Sequence, residues 1–193
     1  IHSKPTPRLG GVAIFLSFII LVTGYLLLAP GLIDFDVKNI RSIDQNILGM
    51  LIGGIIIVGA GIYDDIKGLS PWKKLFWQII AAAIIVFFGI KIHWFSNPLG
   101  GLNIELGSWT NLIVPIWILI LVNSINWIDS IDGLASGISF IGAIILFSLS
   151  VGLIPKDSNQ SVTALLAIIL AGSILGFLPF NFHPAKIFLG DSG

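Results

Sequence analysis

Residues 123–154 read NSINWIDSIDGLASGISFIGAIILFSLSVGLI, and this stretch decides the fold. Its second part, 134–154, runs for 21 residues without a charge. A helix rising about 1.5 Å per residue carries such a run across a hydrocarbon core of about 30 Å. The Leu, Ile, Ala and Gly residues follow one another continuously, whereas a membrane-barrel strand would alternate apolar and polar positions. Directly before the run stand Asn123, Asn126, Asp129 and Asp132. A polar cluster abuts a span here, and the arrangement recurs along the chain.

Five further apolar runs lie outward from this one, at 12–29, 47–63, 75–92, 112–125 and 162–178. The run 112–125 is short, but Trp109, Thr110 and Asn126 complete it at the interfaces, and Pro115 lies near its start, where a missing N–H matters least. No run carries a charge at its middle, as expected where an unpaired one is costly. The chain of 193 residues is 55% hydrophobic and 10% charged, against about 25% charged in soluble domains. The sequence therefore predicts an all-α polytopic integral membrane protein with six transmembrane helices. Residues 102–106 alternate between bracketing glycines, which fits a short extracytoplasmic β-hairpin.

The absence of Cys excludes disulfides and thiol-ligated metals. Ten basic residues balance ten acidic ones, so net charge argues neither way on nucleic acid, and none is among the partners expected. A cleaved signal peptide is a poor reading of the first run, because similar runs follow it.

Six crossings sort the connections into two sets. One holds 1–11, 64–74, 126–133 and 179–193; the other holds 30–46, 93–111 and 155–161. The first set carries six basic residues (Lys4, Arg8, Lys67, Lys73, Lys74, Lys186) against four in the second when Lys91, at the end of the run leading into it, is counted with Lys38, Arg41 and Lys156. The positive-inside rule then places the first set in the cytoplasm. The same set holds Asp64, Asp65, Asp129, Asp132 and Asp191, each near a helix end. One loop aspartate is most simply a solvated charge. An adjacent pair and two further clusters on one face suit a divalent cation bridging phosphate oxygens, since Mg²⁺ takes a few carboxylates and keeps waters and ligand phosphates. Asn123, Asn126 and Asp129 recur at i, i+3 and i+6, roughly on one helical face; they fit either a polar ligand or a stitch between helices. Arg8, after the stiff Pro5-Thr6-Pro7 segment, can meet an anion or a lipid headgroup. His183 reads either as an ordinary loop residue or as a nucleotide contact. The Trp residues near the interfaces, among them Trp72 and Trp109, are most simply anchors.

Four motifs in order, HSKPTPRLGG (2–11), GIYDD (61–65) with LSPWKK (69–74), NSINWIDSIDGL (123–134) and FLGDSG (188–193), resemble those of the polyprenyl-phosphate N-acetylhexosamine-1-phosphate transferases. The opening motif and NFHPAKIFLGDSG at 181–193 resemble the N-acetylglucosamine-type branch more than the phospho-N-acetylmuramoyl-pentapeptide branch. The resemblance implies transfer of a sugar-1-phosphate from a UDP-N-acetylhexosamine to a polyprenyl phosphate, with release of UMP. It implies catalytic roles for Asp64, Asp65, Asp129 and Asp132, and Mg²⁺ (with Mn²⁺ as a substitute) at Asp191 and Asp65. Substrate binding would fall to Asn123, Asn126, Lys74, Arg8 and His183. The location implied is a bacterial or archaeal plasma membrane, multi-pass, with the reacting face in the cytoplasm, where UDP-sugars are made.

Two departures stand out. Many relatives have Gly where this chain has Ser130, and the resemblance leads one to expect further helices on both sides and a histidine-containing loop. With polar ends at 1–11 and 189–193 and no initiator Met, the expectation is a single transmembrane catalytic-domain segment over 1–193, truncated at both ends. The alternatives left open are a phospho-N-acetylmuramoyl-pentapeptide transferase, a transporter and a non-catalytic membrane protein. Small-residue runs and interfacial Trp are compatible with a homodimer but do not require one.

Overall fold

The structure is a computed structural model that describes residues 6–28, 39–40, 43–157 and 160–193. His2, Lys4 and Pro5 of the first motif, and Ala29 at the end of the first run, lie outside the described residues.

Among the described residues the chain forms six α-helices: α1 (Gly10–Leu28), α2 (Gln45–Lys67), α3 (Pro71–Phe87), α4 (Thr110–Ile128), α5 (Leu134–Leu153) and α6 (Gln160–Asn181). Five of them are long and apolar enough to cross a membrane. The expected count of six spans is corrected at α3. It has 17 residues, and its first turn holds Pro71, Lys73 and Lys74, so the apolar part is shorter than a full crossing. It also stops at Phe87 rather than 92, because the N–H groups of Phe88 and Gly89 turn back onto the carbonyls of Ile84 and Val86.

Two short antiparallel pairs complete the fold, β1 (Asn39–Ile40) with β2 (Ile43–Asp44) and β3 (Trp94–Phe95) with β4 (Ile104–Glu105). The second pair realises the hairpin expected around 102–106.

The packing inverts that of a soluble protein. Ala81 and Ala82 of α3, Ala135 and Ala143 of α5, and Ala164, Ala167 and Ala171 of α6 are buried. Small residues let backbones approach, and lipid tails supply no hydrophobic penalty for the large side chains left outside. Accordingly Ile20 is 67% exposed and Leu149 59%, a surface no soluble monomer would present so widely. Helix α5 packs most extensively on α6, α2 on α3, and α1 on α6. The start of α1, the end of α2, the start of α3, the end of α4, the start of α5 and the end of α6 meet at one end of the bundle, where hydrogen bonds tie their loops together.

Candidate active site

The site is built around the 188–193 loop after α6. Phe188 donates its N–H to the Pro7 carbonyl at 2.8 Å, while Gly10 and Gly11 donate theirs to the Phe188 and Leu189 carbonyls at 3.0 and 2.9 Å. From the other side α2 holds the loop: Asp65 Oδ1 accepts the Asp191 N–H at 2.9 Å and Oδ2 accepts the Ser192 N–H at 3.0 Å. Gly61, one helical turn before Asp65, leaves the room this needs, because a Cβ there would collide with the Asp191 carbonyl and with Ser192 Cα. Gly190 bends the loop at φ +76°, a left-handed conformation that favours glycine, and a Cβ on it would strike the Arg8 carbonyl and the Asp65 carboxylate. Deeper still, Asn181 is buried; it accepts from Ser136 Oγ at 2.6 Å and donates Nδ2 to the Ile187 carbonyl at 3.0 Å. The glycines and Asp65 therefore fix the backbone of the loop, and the Asp191 side chain is the part left to face inward.

What it faces is a cavity of about 320 Å³. Asp64, Lys74, Asn126, Asp129 and Asp191 line its mouth, and Ile14, Ile57, Leu121, Val122, Leu170 and Ile174 line its floor between the helices. Lys74 Nζ is hydrogen-bonded to Asp191 Oδ1 and lies 3.4 Å from both Asp64 Oδ2 and Asn126 Oδ1. Asn126 donates Nδ2 to Asp191 Oδ1 at 2.6 Å. Asp64 also accepts the Leu69 N–H at 2.5 Å, which ties down the turn between α2 and α3. Asp129 follows the last residue of α4, and burial pushes its carboxyl up from 3.8 to about 6. A hydrogen bond from the Gly190 backbone opposes the shift, and the charges of Asp191, Asp65 and Asp132 add to it.

The sequence-predicted residues separate into groups. Asp64, Asp129, Asp191, Lys74 and Asn126 converge on the cavity. Asp65 lies behind the loop and uses both oxygens to hold it. Asp132 lies to the side, where Oδ2 accepts the Ala185 N–H at 3.0 Å and pairs with His183 Nδ1 at 3.1 Å. His183 itself is exposed. Arg8 is exposed at the rim, with its carbonyl against Gly190. Asn123 stitches α4 to α3, donating Nδ2 to Gln78 Oε1 at 2.9 Å and to the Leu119 carbonyl at 2.8 Å. Ser130 is exposed and its hydroxyl caps the Trp127 carbonyl at 3.2 Å. Sequence reasoning passed over Gln78, whose signal was a lone amide inside an apolar run.

Chemically the mouth offers hard oxygen donors and one ammonium. Among the described residues no three His, Asp or Glu side chains form a ready-made metal cage. The burial of Asp129 beside three other carboxylates leaves a local excess of negative charge, which fits a hard divalent cation that retains waters and ligand oxygens.

The description "Glycosyl transferase family 4" matches residues 47–193. The chain is 38% identical over 199 residues to the decaprenyl-phosphate N-acetylglucosaminephosphotransferase of Mycobacterium leprae, covering all of this chain and 48% of that protein. It is 36% identical over 193 residues to the probable undecaprenyl-phosphate N-acetylglucosaminyl 1-phosphate transferase of Bacillus subtilis, again over the whole chain and 49% of the relative. The phospho-N-acetylmuramoyl-pentapeptide-transferase of Streptococcus thermophilus is 34% identical over 153 residues, 75% of this chain and 42% of that protein. The chain spans about half the length of the curated relatives it matches. A membrane-helical fold, four ordered motifs meeting in one site and these likenesses lead to one assignment: the chain belongs to glycosyl transferase family 4.

Proposed function

We propose that the protein carrying this chain transfers N-acetylglucosamine-1-phosphate from its UDP-sugar to a polyprenyl phosphate and releases UMP. The observation that carries the reading is the two-character cavity, charged at the mouth and apolar along the floor. A prenyl phosphate has the same division. Its head needs cations and donors, and its chain needs a wall that costs nothing to contact. The donor nucleotide is soluble and anionic, and would reach the mouth from water.

In the reaction an oxygen of the lipid phosphate attacks the phosphorus attached to the sugar. The bond from that phosphorus to the UMP oxygen breaks, and UMP leaves with the electron pair. Lys74 is the cation at the mouth, held by Asp64, Asn126 and Asp191 until phosphates replace those contacts. Asp64 keeps the ammonium aimed at the mouth, and Asp65 keeps Asp191 in place. Asp191 and Asp129, with Asn126 beside them, are the side chains that would hold Mg²⁺, or Mn²⁺ in its place. When bound, the ion neutralises phosphate charge and eases departure of the leaving group. Asp132 and His183 shape the rim where the nucleotide would sit. The gathering of Arg8, Lys67, Lys73, Lys74 and Lys186 at the same end supports a cytoplasmic mouth.

The test is UMP release by the intact protein in detergent, with undecaprenyl phosphate, Mg²⁺ and a panel of UDP-amino sugars, beside an Asp191→Asn copy. Release that requires lipid, metal and UDP-N-acetylglucosamine, and is lost in the variant, is the expected result. Release with UDP-N-acetylmuramoyl-pentapeptide instead moves the protein to the other branch. No release from folded protein with any donor sinks the transferase reading.

A further inference from the structure

Gln78 is the polar side chain that α3 adds to the cavity beyond Lys74. It lies on α3 one turn after Lys74, about 6 Å further into the bundle, and is 5% exposed while lining the cavity. Its orientation follows from its neighbour. The Leu119 carbonyl can only accept, so Asn123 presents Nδ2 on that side, and the same Nδ2 meets Gln78 at 2.9 Å. That contact requires the Gln78 oxygen. The Gln78 Nε2 group is left over, with no hydrogen bond among the described residues, on a side chain that lines the cavity. A donor on a cavity wall gains a hydrogen bond when an acceptor enters, in exchange for the water it held. Leu121, Val122 and Ile125 of α4 supply apolar lining to the same cavity.

We propose that Gln78 binds the acceptor lipid, its Nε2 donating to a phosphate oxygen on the chain side of the prenyl phosphate. This rests on the transferase reading above. The position suits the assignment because the head-to-chain junction of that lipid must cross from the charged mouth to the apolar floor, and Gln78 marks that border. A neutral donor serves there better than a second Lys, whose desolvation one turn deeper would be expensive. The donor sugar nucleotide, with polar groups throughout, has no comparable reason to reach below Lys74.

The experiment varies undecaprenyl phosphate at saturating UDP-N-acetylglucosamine, and then the reverse, with the intact wild type, Gln78→Met and Gln78→Glu. Gln78→Glu keeps an acceptor for Asn123, so the stitch between α3 and α4 survives, while the donor becomes a negative charge. The KM for undecaprenyl phosphate should rise about 10-fold in Gln78→Met and further in Gln78→Glu, with the KM for the UDP-sugar unchanged. An acceptor KM within about twofold of wild type in both variants, or a rise confined to the UDP-sugar KM, overturns the proposal. Binding of undecaprenyl phosphate alone, followed without any sugar nucleotide, separates the two readings. Affinity that falls in Gln78→Met from a wild type releasing no UMP keeps the lipid contact and sinks the transferase reading. A catalytically active wild type whose variants bind the lipid equally well sinks only the contact.

Discussion

Asp64 and Asp65 are adjacent in the chain, but a helix turns successive side chains apart by about 100°. Asp64 therefore meets Lys74 at the cavity mouth, while Asp65 meets the backbone of the 188–193 loop. The two should answer differently to the same substitution. Asp64→Asn keeps the oxygen that accepts the Leu69 N–H and loses only its charge toward Lys74. It should lower turnover while leaving the melting temperature nearly unchanged. Asp65→Asn turns an NH₂ toward a backbone N–H, and should cost about 1–3 kcal/mol of stability as well as activity. Thermal melts beside UMP release distinguish them, and equal stability losses would contradict the division. Asp129 adds a pH dependence. Its folded carboxyl titrates near about 6 against 3.8 for the free group, so the folded state holds the proton more tightly. The stability it contributes is full below about pH 4 and is lost as pH rises through about 6. Asp129→Asn cannot ionise, so without divalent cation its melting temperature should gain on wild type between pH 5 and 7. A constant difference over that range would show that burial, with the neighbouring carboxylates, does not raise this carboxyl.

At the scale of elements, the helices were legible in the sequence to within a turn or so, because continuous apolar runs leave few other structures possible in lipid. Two ends were misjudged for physical reasons. Helix α2 continues beyond 63 to Lys67, carrying the aspartate pair on its last turns, since a charged turn at an interface is stable. Helix α3 is shorter than its apolar run. Five of the residues that line the cavity, Asp64, Lys74, Asn126, Asp129 and Asp191, were legible in the sequence, but their division of labour was not. Nothing in a linear pattern tells whether an aspartate points at a cavity or at backbone N–H groups on a loop 126 residues away. Glycines are the same case. In GIYDD and the preceding run, Gly59 and Gly61 look alike, yet a Cβ at 59 meets nothing within 4 Å and one at 61 enters the loop. Gly61→Ala should destabilise by about 1–3 kcal/mol and abolish most turnover. Gly59→Ala should be neutral or slightly stabilising, by up to about 1 kcal/mol, since Ala is the better helix former. Melting curves of the pair check the close approach directly, and equal behaviour would contradict it.

At the scale of the chain, the lack of Cys among its 193 residues makes orientation measurable once any Cys elsewhere in the protein is replaced. Ser130→Cys stands exposed at the site end, and Leu102→Cys stands exposed in the hairpin at the other. A membrane-impermeant maleimide applied to intact cells should label Leu102→Cys and spare Ser130→Cys, with the pattern reversed in inverted vesicles. The opposite pattern would turn the mouth of the cavity outward. The hydrogen bonds between 188–193 and 7–11 carry one more consequence. A ribosome delivers this polypeptide from its beginning, so all six helices leave it before Phe188 does. Until then the stretch around Gly10 has no partner to dock, and Asp65 has no amides to receive. Synthesis of these six helices and formation of the contacts around 188–193 are thus separate events in time, and the contacts wait on six residues of nascent chain.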